Sequence, residues 1–492
     1  MDHSLPLCSE ILKEQLISLR GKDVALPEEI TADSRTLLPG GLFAAVPGTK
    51  SDGHDFIPLA EKKASVIIHS KELDHFLPEI SYYHVRNAAA CAALLFREKY
   101  GRPDEKLQLL GVTGTNGKTT TVFILEHLLK DCGLLSTIEF RTGKNSLPAT
   151  HTTPDSATLF RLLDEMQRNG LRSAAMELSS HALDQDRARG ARFKCAVFTN
   201  LTGDHLDYHK DMEHYYQAKK RFFTRLLHPE GTAVINTDDP WGRRLAEELH
   251  ACCRIITFGQ EKEADWQIRA LHTACGGSRF DLVCGKICYP VRTNLAGKHN
   301  AFNLTGAFLA AMSTGVLPEQ LLAALEKEIT VPGRMQMIPV PGGPLFVVDF
   351  AHTDDALAHV LEVLRPLTAG RLFCVFGAGG DRDKSKRPRM GQAASCADHL
   401  IVTSDNPRSE EPEKIIADIV AGIRPGTLYD VEPDRKKAVQ KAFRAAQPGD
   451  VVLVAGKGHE NYQEIKGVRY AFSDVQIIQQ CFKRENNEQT DA

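Results

Sequence analysis

Apolar residues recur along this chain in two alternating rhythms. Apolar-rich runs of buried-strand type, at Leu107–Val112, Ser173–Glu177, Cys195–Asn200, Thr232–Asn236 and Arg254–Phe258, are separated by helical spacings such as Val122, Leu125, Leu128 and Leu129. That alternation predicts βαβ units around a mainly parallel sheet. It restarts after Pro332-Gly333 with Leu345–Asp349, Leu372–Phe376, His399–Thr403 and Val451–Val454, with a helix over Pro412–Ile423. Near the N-terminus the runs are shorter, Ala64–His69 and Tyr82–Val85, beside the helical pattern Ala88–Phe96. Arg102-Pro103-Asp104 reads as a linker. The expectation is an α/β protein of three regions, 1–104, 105–335 and 336–492.

Composition narrows the class without choosing a function. A chain of 492 residues is too long for one core, and 42% hydrophobic with 25% charged residues is ordinary for a globular protein. A formal net charge of −3 leaves no electrostatic footprint for nucleic acid, so no such partner is expected. The twelve cysteines lack the paired spacing of a zinc site or a secreted disulfide scaffold, and reduced, mostly buried thiols are expected. The start, MDHSLPLCSEILKEQL, has neither a basic opening nor a long apolar core, and no window reaches the ~18 apolar residues of a membrane span. A cytoplasmic protein without membrane insertion is expected.

The most specific stretch is LQLLGVTGTNGKTTTVFILEHLL, Leu107 to Leu129. An apolar strand, a glycine turn at Gly114, Thr115, Asn116 and Gly117, and a helix opening at Lys118 make a phosphate cradle. Backbone N–H groups point at phosphate oxygens, Lys118 reaches the β/γ-phosphates, and the Thr119 or Thr120 hydroxyl holds Mg²⁺. A nucleoside triphosphate is the expected ligand. Val112 stands where the usual pattern places a glycine six residues before the lysine. Two other motifs invite different chemistry. Ser179-Ser180-His181 suggests a serine nucleophile beside a base, but adjacent strand residues point to opposite sides and no third orienting group is evident. Phe376-Gly377-Ala378-Gly379-Gly380 lacks the full spacing of a dinucleotide fingerprint and reads as a turn leading to Arg382.

The loop TGTNGKTT resembles the ATP site of the Mur ligase family, and further matches follow in family order: HTTP from His151, MELSSHAL from Met176, FTNLTGDHLDYH from Phe198 and MEHYYQAK from Met212. GKHNAFN from Gly297, PGRM from Pro332, FGAGGDRDKSKRP from Phe376, DNPR from Asp405 and GKGHE from Gly456 continue it. The resemblance spans nearly the whole chain and implies a three-domain architecture with a central P-loop domain and a C-terminal Rossmann-like α/β domain. It also implies an ATP-dependent amide ligase of peptidoglycan precursor synthesis. ATP would phosphorylate the D-glutamate γ-carboxylate of UDP-MurNAc-L-Ala-D-Glu, and the amino group of meso-2,6-diaminopimelate would displace phosphate from the acyl phosphate. A monomer acting on these small molecules is expected.

Site residues carry over position by position. Glu177 and His205 match the glutamate and histidine that hold Mg²⁺ near the transferred phosphate, with Thr119 as the loop's metal ligand. Lys219 sits in an apparent helix, His214 to Leu227, where a solvated basic face would be the ordinary reading; it matches the family's carbamylated lysine, whose CO₂-derived carbamate ligates a second Mg²⁺. Ser34 and the turn Thr49-Lys50-Ser51 match the uridine-nucleotide segment, and Thr152, Thr153, Ser179, Gln185 and Arg187 the muramoyl-dipeptide contacts. Asn300, Asn303, Arg334, Asp349 and His352 match the nucleotide-contacting segments. Arg382, Asp405, Asn406, Pro407, Arg408, Gly456 and Glu460 match the amino-acid pocket, with Arg408 suited to the distal carboxylate of diaminopimelate and Glu460 to an ammonium.

Departures from the family pattern fall beside these positions: Asp354 for a proline, Gly203 for a longer polar residue and Ser385 for a glycine. Three alternatives stay open on sequence alone. One is a lysine-adding ligase of the same family, another a folylpolyglutamate- or cyanophycin-type amide ligase. The last is a non-catalytic nucleotide-binding switch.

Overall fold

A computed structural model describes residues 5–48 and 51–490. The chain divides into two compact units, one of residues up to Ala270 with Phe280–Val291 and His299–Lys327, the other of Leu271–Arg279, Arg292–Lys298 and Glu328 onward.

The first unit holds two sheets. The N-terminal sheet has Leu42–Ala44, Val66–His69 and Ser81–Val85 in parallel, with Leu16–Arg20 antiparallel on one edge. Its core includes Phe43, Ile67 and Tyr82, all essentially inaccessible. The larger sheet has a parallel centre in the order Arg254–Gly259, Leu227–Asn236, Phe193–Phe198, Gln108–Thr113, Ser173–Glu177 and Cys132–Leu135. The three central strands, Phe193–Phe198, Gln108–Thr113 and Ser173–Glu177, are almost wholly buried on both faces, which is why they read as apolar runs. The chain leaves Gln108–Thr113 for strands on one side and later returns to Phe193–Phe198 on the other, so the loop after Thr113 lies at a topological switch point, where open α/β sheets bind ligands.

Arg102-Pro103-Asp104, read as a linker, connects the N-terminal sheet and its following helix to the strand Gln108–Thr113 and is pinned in place. Pro103–Glu105 forms a 3₁₀ turn, Asp104 is buried, and its carboxylate accepts from Arg97 Nε at 2.8 Å and from the Arg192 backbone N–H at 3.2 Å. The cysteine expectation is half corrected. All twelve thiols are free, but four are buried while Cys252, Cys288 and Cys396 are exposed.

The second unit is built on a six-stranded sheet ordered Gln336–Pro339, Leu345–Asp349, Val451–Ala455, Leu372–Phe376, His399–Val402 and Leu428–Val431, parallel except for the first strand. A two-stranded hairpin, Tyr462–Ile465 with Val468–Ala471, stands apart from it. Arg435 and Asp474, both wholly buried, tie this unit together through hydrogen bonds of 2.9 and 2.8 Å, and Arg435 also donates to the Ala455 carbonyl at 2.8 Å.

Candidate functional site

The strand Gln108–Thr113 runs directly into the loop, and the helix Lys118–Leu128 begins at its end. Val112 stays in the strand, in register with Glu177 and Val197, so the turn opens at Gly114 and needs no glycine at position 112. Gly114 (φ +150°) and Gly117 (φ +86°) are required twice over, by backbone conformation and by space: a Cβ would overlap the Thr199 hydroxyl at the first and the Asn303 amide at the second. The loop is fastened to the end of the neighbouring strand. Thr199 Oγ1 donates to the Asn116 carbonyl at 2.6 Å, the Asn116 N–H donates to Asn200 Oδ1 at 2.9 Å, and the Thr115 N–H donates to the Asn200 carbonyl at 2.9 Å. Lys118 folds back over the loop, Nζ donating to the carbonyls of Gly114 at 3.0 Å and Thr115 at 2.8 Å. Thr119 and Thr120 are buried in the first helical turn.

Lys219 reaches the same place from another element. Its helix spans Met212–Arg221, capped by Asp211, whose Oδ1 accepts from the His214 N–H at 2.8 Å, and continues as a π turn over Phe222–Leu226. Tyr215, Tyr216, Ala218 and Lys219 line the buried face, so Lys219 is not part of a solvated basic face. Only 1% of the residue is accessible; Nζ donates to the Gly114 carbonyl at 2.8 Å and stands 4.6 Å from the Tyr215 ring centre. Burial, reinforced by the neighbouring Lys118 charge, holds its pKa well below the ordinary lysine value, which favours the neutral, nucleophilic amine.

Glu177 ends its strand buried, Oε1 accepting from the Thr137 N–H at 2.7 Å and Oε2 from the Thr137 hydroxyl at 3.2 Å. Polar groups gather beside it. Thr153 Oγ1 donates to the Glu177 carbonyl at 2.9 Å and accepts from the Ser179 N–H at 3.0 Å, while Arg187 donates to the Thr153 carbonyl at 2.8 Å and to Gln185 Oε1 through two nitrogens. Burial lowers the Arg187 pKa. The Thr152 hydroxyl lies 3.2 Å from that of Thr137. His205 adopts a left-handed conformation (φ +53°) just before the helix Leu206–His209; its side chain is 48% exposed, with the ring 5.0 Å from that of His181. Among the described residues no three His, Cys, Asp or Glu side chains converge as a metal site.

The Ser179-Ser180-His181 triplet is not a strand. Ser179 caps the helix Ser180–Asp184, its Oγ accepting from the Ala182 N–H at 3.2 Å. Ser180 is buried, its hydroxyl 2.9 Å from Nε2 of His209, itself buried and pushed down to about 4 mainly by that burial. A nucleophile enclosed in this way meets no substrate.

In the second unit the turn Asp405–Arg408 carries the densest polar network. Arg408 is left-handed (φ +53°), with Nη1 donating to the Gly380 carbonyl at 2.6 Å. The hairpin grips its main chain, the Arg408 N–H donating to the Glu464 carbonyl at 3.0 Å and the Lys466 N–H to the Arg408 carbonyl at 2.7 Å. Gly380 abuts the Pro407 carbonyl and Gly456 the Asp405 carboxylate, each leaving no space for a Cβ. Asn406 Nδ2 donates to Glu460 Oε2 at 2.8 Å. Arg382 is exposed near Gly379. Elsewhere in this unit Asp349, buried with a raised pKa because of that burial, accepts from the N–H groups of Met335 at 2.7 Å and Ala351 at 2.8 Å. Arg334 stacks 5.1 Å over Phe350, and its Nε is buried without a hydrogen-bond partner; His352 Nδ1 lies 2.9 Å from the Phe350 carbonyl oxygen.

Three family profiles match in sequence: the Mur ligase family, catalytic domain over residues 28–91, the Mur ligase middle domain over 112–311, and the Mur ligase, glutamate ligase domain over 333–458. The UDP-N-acetylmuramoyl-L-alanyl-D-glutamate--2,6-diaminopimelate ligase of Aquifex aeolicus (strain VF5) is 42% identical over 92% of both chains. The enzyme of the same name from Lactiplantibacillus plantarum (strain ATCC BAA-793 / NCIMB 8826 / WCFS1) is 42% identical over 90% of this chain and 92% of its own. The chain belongs to the Mur ligase family. A solved ligase of that diaminopimelate-adding name superposes with a TM-score of 0.70 at 34% identity, covering 98% of this chain and 99% of its own. The MurF ligase of Thermotoga maritima in complex with ADP shares the fold, with a TM-score of 0.59 at 20% identity over 94% and 98% of the two chains. The three-domain α/β architecture of Mur ligases is thus present here.

Within this Mur ligase the two units bring their predicted residues together unevenly. Gly114 to Lys118, Lys219 and Asn303 form one cluster, and Glu177, Thr152, Thr153, Ser179, Gln185 and Arg187 another. Asn300 and Asn303 are buried on the helix Lys298–Met312, 3.4 Å apart between amides. Ser34 is buried in the N-terminal region and Ser51 is exposed, whereas Thr49 and Lys50 lie outside the described residues. Sequence reasoning passed over Lys457, which is wholly buried with Nζ 3.0 Å from Asn406 Oδ1 and 2.9 Å from Glu460 Oε2. Glu460 Oε2 thus already meets an ammonium from the protein. The signal was available in the lysine between Gly456 and Gly458, at the end of a predicted buried strand.

Proposed function

We propose that this chain joins meso-2,6-diaminopimelate to the D-glutamate γ-carboxylate of UDP-N-acetylmuramoyl-L-alanyl-D-glutamate, consuming ATP, as a cytoplasmic monomer in peptidoglycan precursor synthesis. The observation that carries this reading is the buried Lys219 amine against the phosphate loop. An ammonium there would oppose Lys118 and any divalent ion, whereas a neutral amine adds CO₂ to become an anionic carbamate. The relatives' names supply the substrates.

A carboxylate does not accept an amine in water, so its oxygen first takes the γ-phosphoryl group and ADP leaves. The diaminopimelate amine then attacks the acyl carbon; the C–N bond forms, the C–O bond to phosphate breaks, and inorganic phosphate departs. In this reading Gly114 to Thr120 cradle the triphosphate through backbone N–H groups, and Lys118 turns from its carbonyl partners to the β/γ oxygens. Asn300, Asn303, Arg334, Asp349 and His352 serve the nucleotide. Ser34, Ser51, Thr152, Thr153, Ser179, Gln185 and Arg187 hold the UDP-muramoyl dipeptide, and Arg382, Asp405 to Arg408, Gly456 and Glu460 receive diaminopimelate. Thr119, Glu177, His205 and the Lys219 carbamate form an oxygen-rich donor set that suits Mg²⁺, which when bound neutralises charge on the transferred phosphoryl group. Domain boundaries at 104/105 and 335/336 divide these tasks.

The test is ATP-dependent phosphate release with UDP-MurNAc-L-Ala-D-Glu and a panel of amino acids. Release with meso-diaminopimelate and not with lysine is expected; preference for lysine points to the other branch of the family, and no release with any amino acid overturns the reading.

A further inference from the structure

Lys457 is a buried cation whose polar contacts converge on Asp405, Asn406 and Glu460. Nζ donates to Asn406 Oδ1 at 3.0 Å and Glu460 Oε2 at 2.9 Å, stands 3.9 Å from Asp405 Oδ1, and faces the rings of Tyr462 and Phe472 at 5.5 and 5.9 Å. Asn406 is oriented as a result. Its carbonyl oxygen receives Lys457 and the Glu464 N–H at 2.9 Å, which forces the amide nitrogen toward Glu460 Oε2 at 2.8 Å. An amide has two N–H donors and a carboxylate four lone-pair positions, so after these bonds Asn406 keeps one N–H and Glu460 keeps most of Oε1 for a ligand. Without the lysine charge, the Asp405 and Glu460 carboxylates would share this space unneutralised, with the Asn406 amide held on its oxygen side by the Glu464 N–H alone, and the repulsion between the carboxylates would reopen it.

We propose that Lys457 is the positioning residue of the amino-acid pocket: it fixes the Asn406 amide and the Glu460 carboxylate in the orientation that receives the incoming amino acid, without touching that substrate itself. The inference rests on the reading that the Asp405–Arg408 turn binds the incoming amino acid. It separates from that reading because acyl phosphate formation needs only ATP and the UDP-linked dipeptide.

The test compares Lys457→Met with the wild-type full chain. The KM for meso-diaminopimelate should rise at least tenfold, while the KM values for ATP and for the UDP-linked dipeptide stay within twofold. Hydroxylamine trapping of the acyl phosphate in the absence of amino acid should be unchanged. A well-folded variant whose diaminopimelate KM is within twofold of wild type overturns the proposal, as does a parallel loss of trapped hydroxamate, the signature of a merely structural lysine. If Lys457→Met does not fold, the pair Lys457→Met with Glu460→Gln, which leaves no unpaired charge between them, is compared with Glu460→Gln alone. A further tenfold rise in KM supports the assignment, and no further rise overturns it. Wild-type enzyme that releases phosphate with no amino acid in the panel refutes the underlying reading instead.

Discussion

Two lysines share one carbonyl oxygen, that of Gly114, and their environments assign them different work. Lys118 lies on the loop surface of the helix start, so Lys118→Ala should leave thermal stability nearly unchanged and reduce ligation on the order of 100-fold or more, the scale of a lost preorganised charge contact. Phosphate release at saturating ATP together with a melting curve checks it. Lys219 behaves oppositely. Its folded pKa lies below the 10.5 of a free lysine, so the unfolded chain binds more protons, and stability conferred by the neutral amine is present above that value and lost as pH falls. Carbamate-free wild-type protein should therefore gain melting temperature from pH 6.5 to 9 more steeply than Lys219→Met, and equal slopes would contradict a neutral buried amine. Arg408→Ala should cost about 2 kcal/mol in preference for diaminopimelate over lysine, the size of a charge-assisted bidentate contact, with the KM for ATP unchanged. Competition between the two amino acids measures that ratio.

Strands announced themselves best where both faces are covered. Ser173–Glu177 and Leu345–Asp349 have the bounds their apolar runs predict, because a central parallel strand has no polar face to blur the pattern. Elements ending in tertiary contacts were less legible. The helix expected to reach Leu227 turns to π geometry at Phe222, where Phe222 packs edge-on against Phe193 and fills the space that Gly111 leaves open. The sequence order of glycine, lysine and threonine located the turn between the strand ending at Thr113 and the helix opening at Lys118, yet not the strap of Thr199 and Asn200 that holds it, since those residues lie more than eighty positions away. Burial of Lys219 and Lys457 was invisible to composition, because a lysine's usual place is the surface and only packing overrules it. The loop geometry yields its own prediction: Gly117→Ala should lose about 1–2 kcal/mol from left-handed strain alone and displace Asn303 as well. Nucleotide affinity should then fall at least tenfold, as isothermal titration with a non-hydrolysable ATP analogue would read.

Across the whole molecule, buried charge stands in for part of the apolar core in the second unit. Arg435 and Asp474 are both wholly buried and doubly hydrogen-bonded, so Asp474→Ala strands a guanidinium in the interior and should cost about 3–5 kcal/mol, seen by calorimetry as an early transition. The hairpin at residues 462–471 has a reach of a different kind. It bonds to the main chain of Arg408, to the Asp405 carbonyl through Gln463 at 2.7 Å, and to the Asn406 amide from a residue 58 positions away. On the proposed reading of this turn as the amino-acid site, the choice of amino acid is therefore not carried by a portable tetrapeptide. Transplanting positions 405–408 into a relative with another preference would move the side chains and leave behind the scaffold that gives Arg408 its left-handed turn. A successful exchange of preference must carry the segment from Gly456 through the hairpin as a single cassette, and in divergence the two stretches are bound to change together.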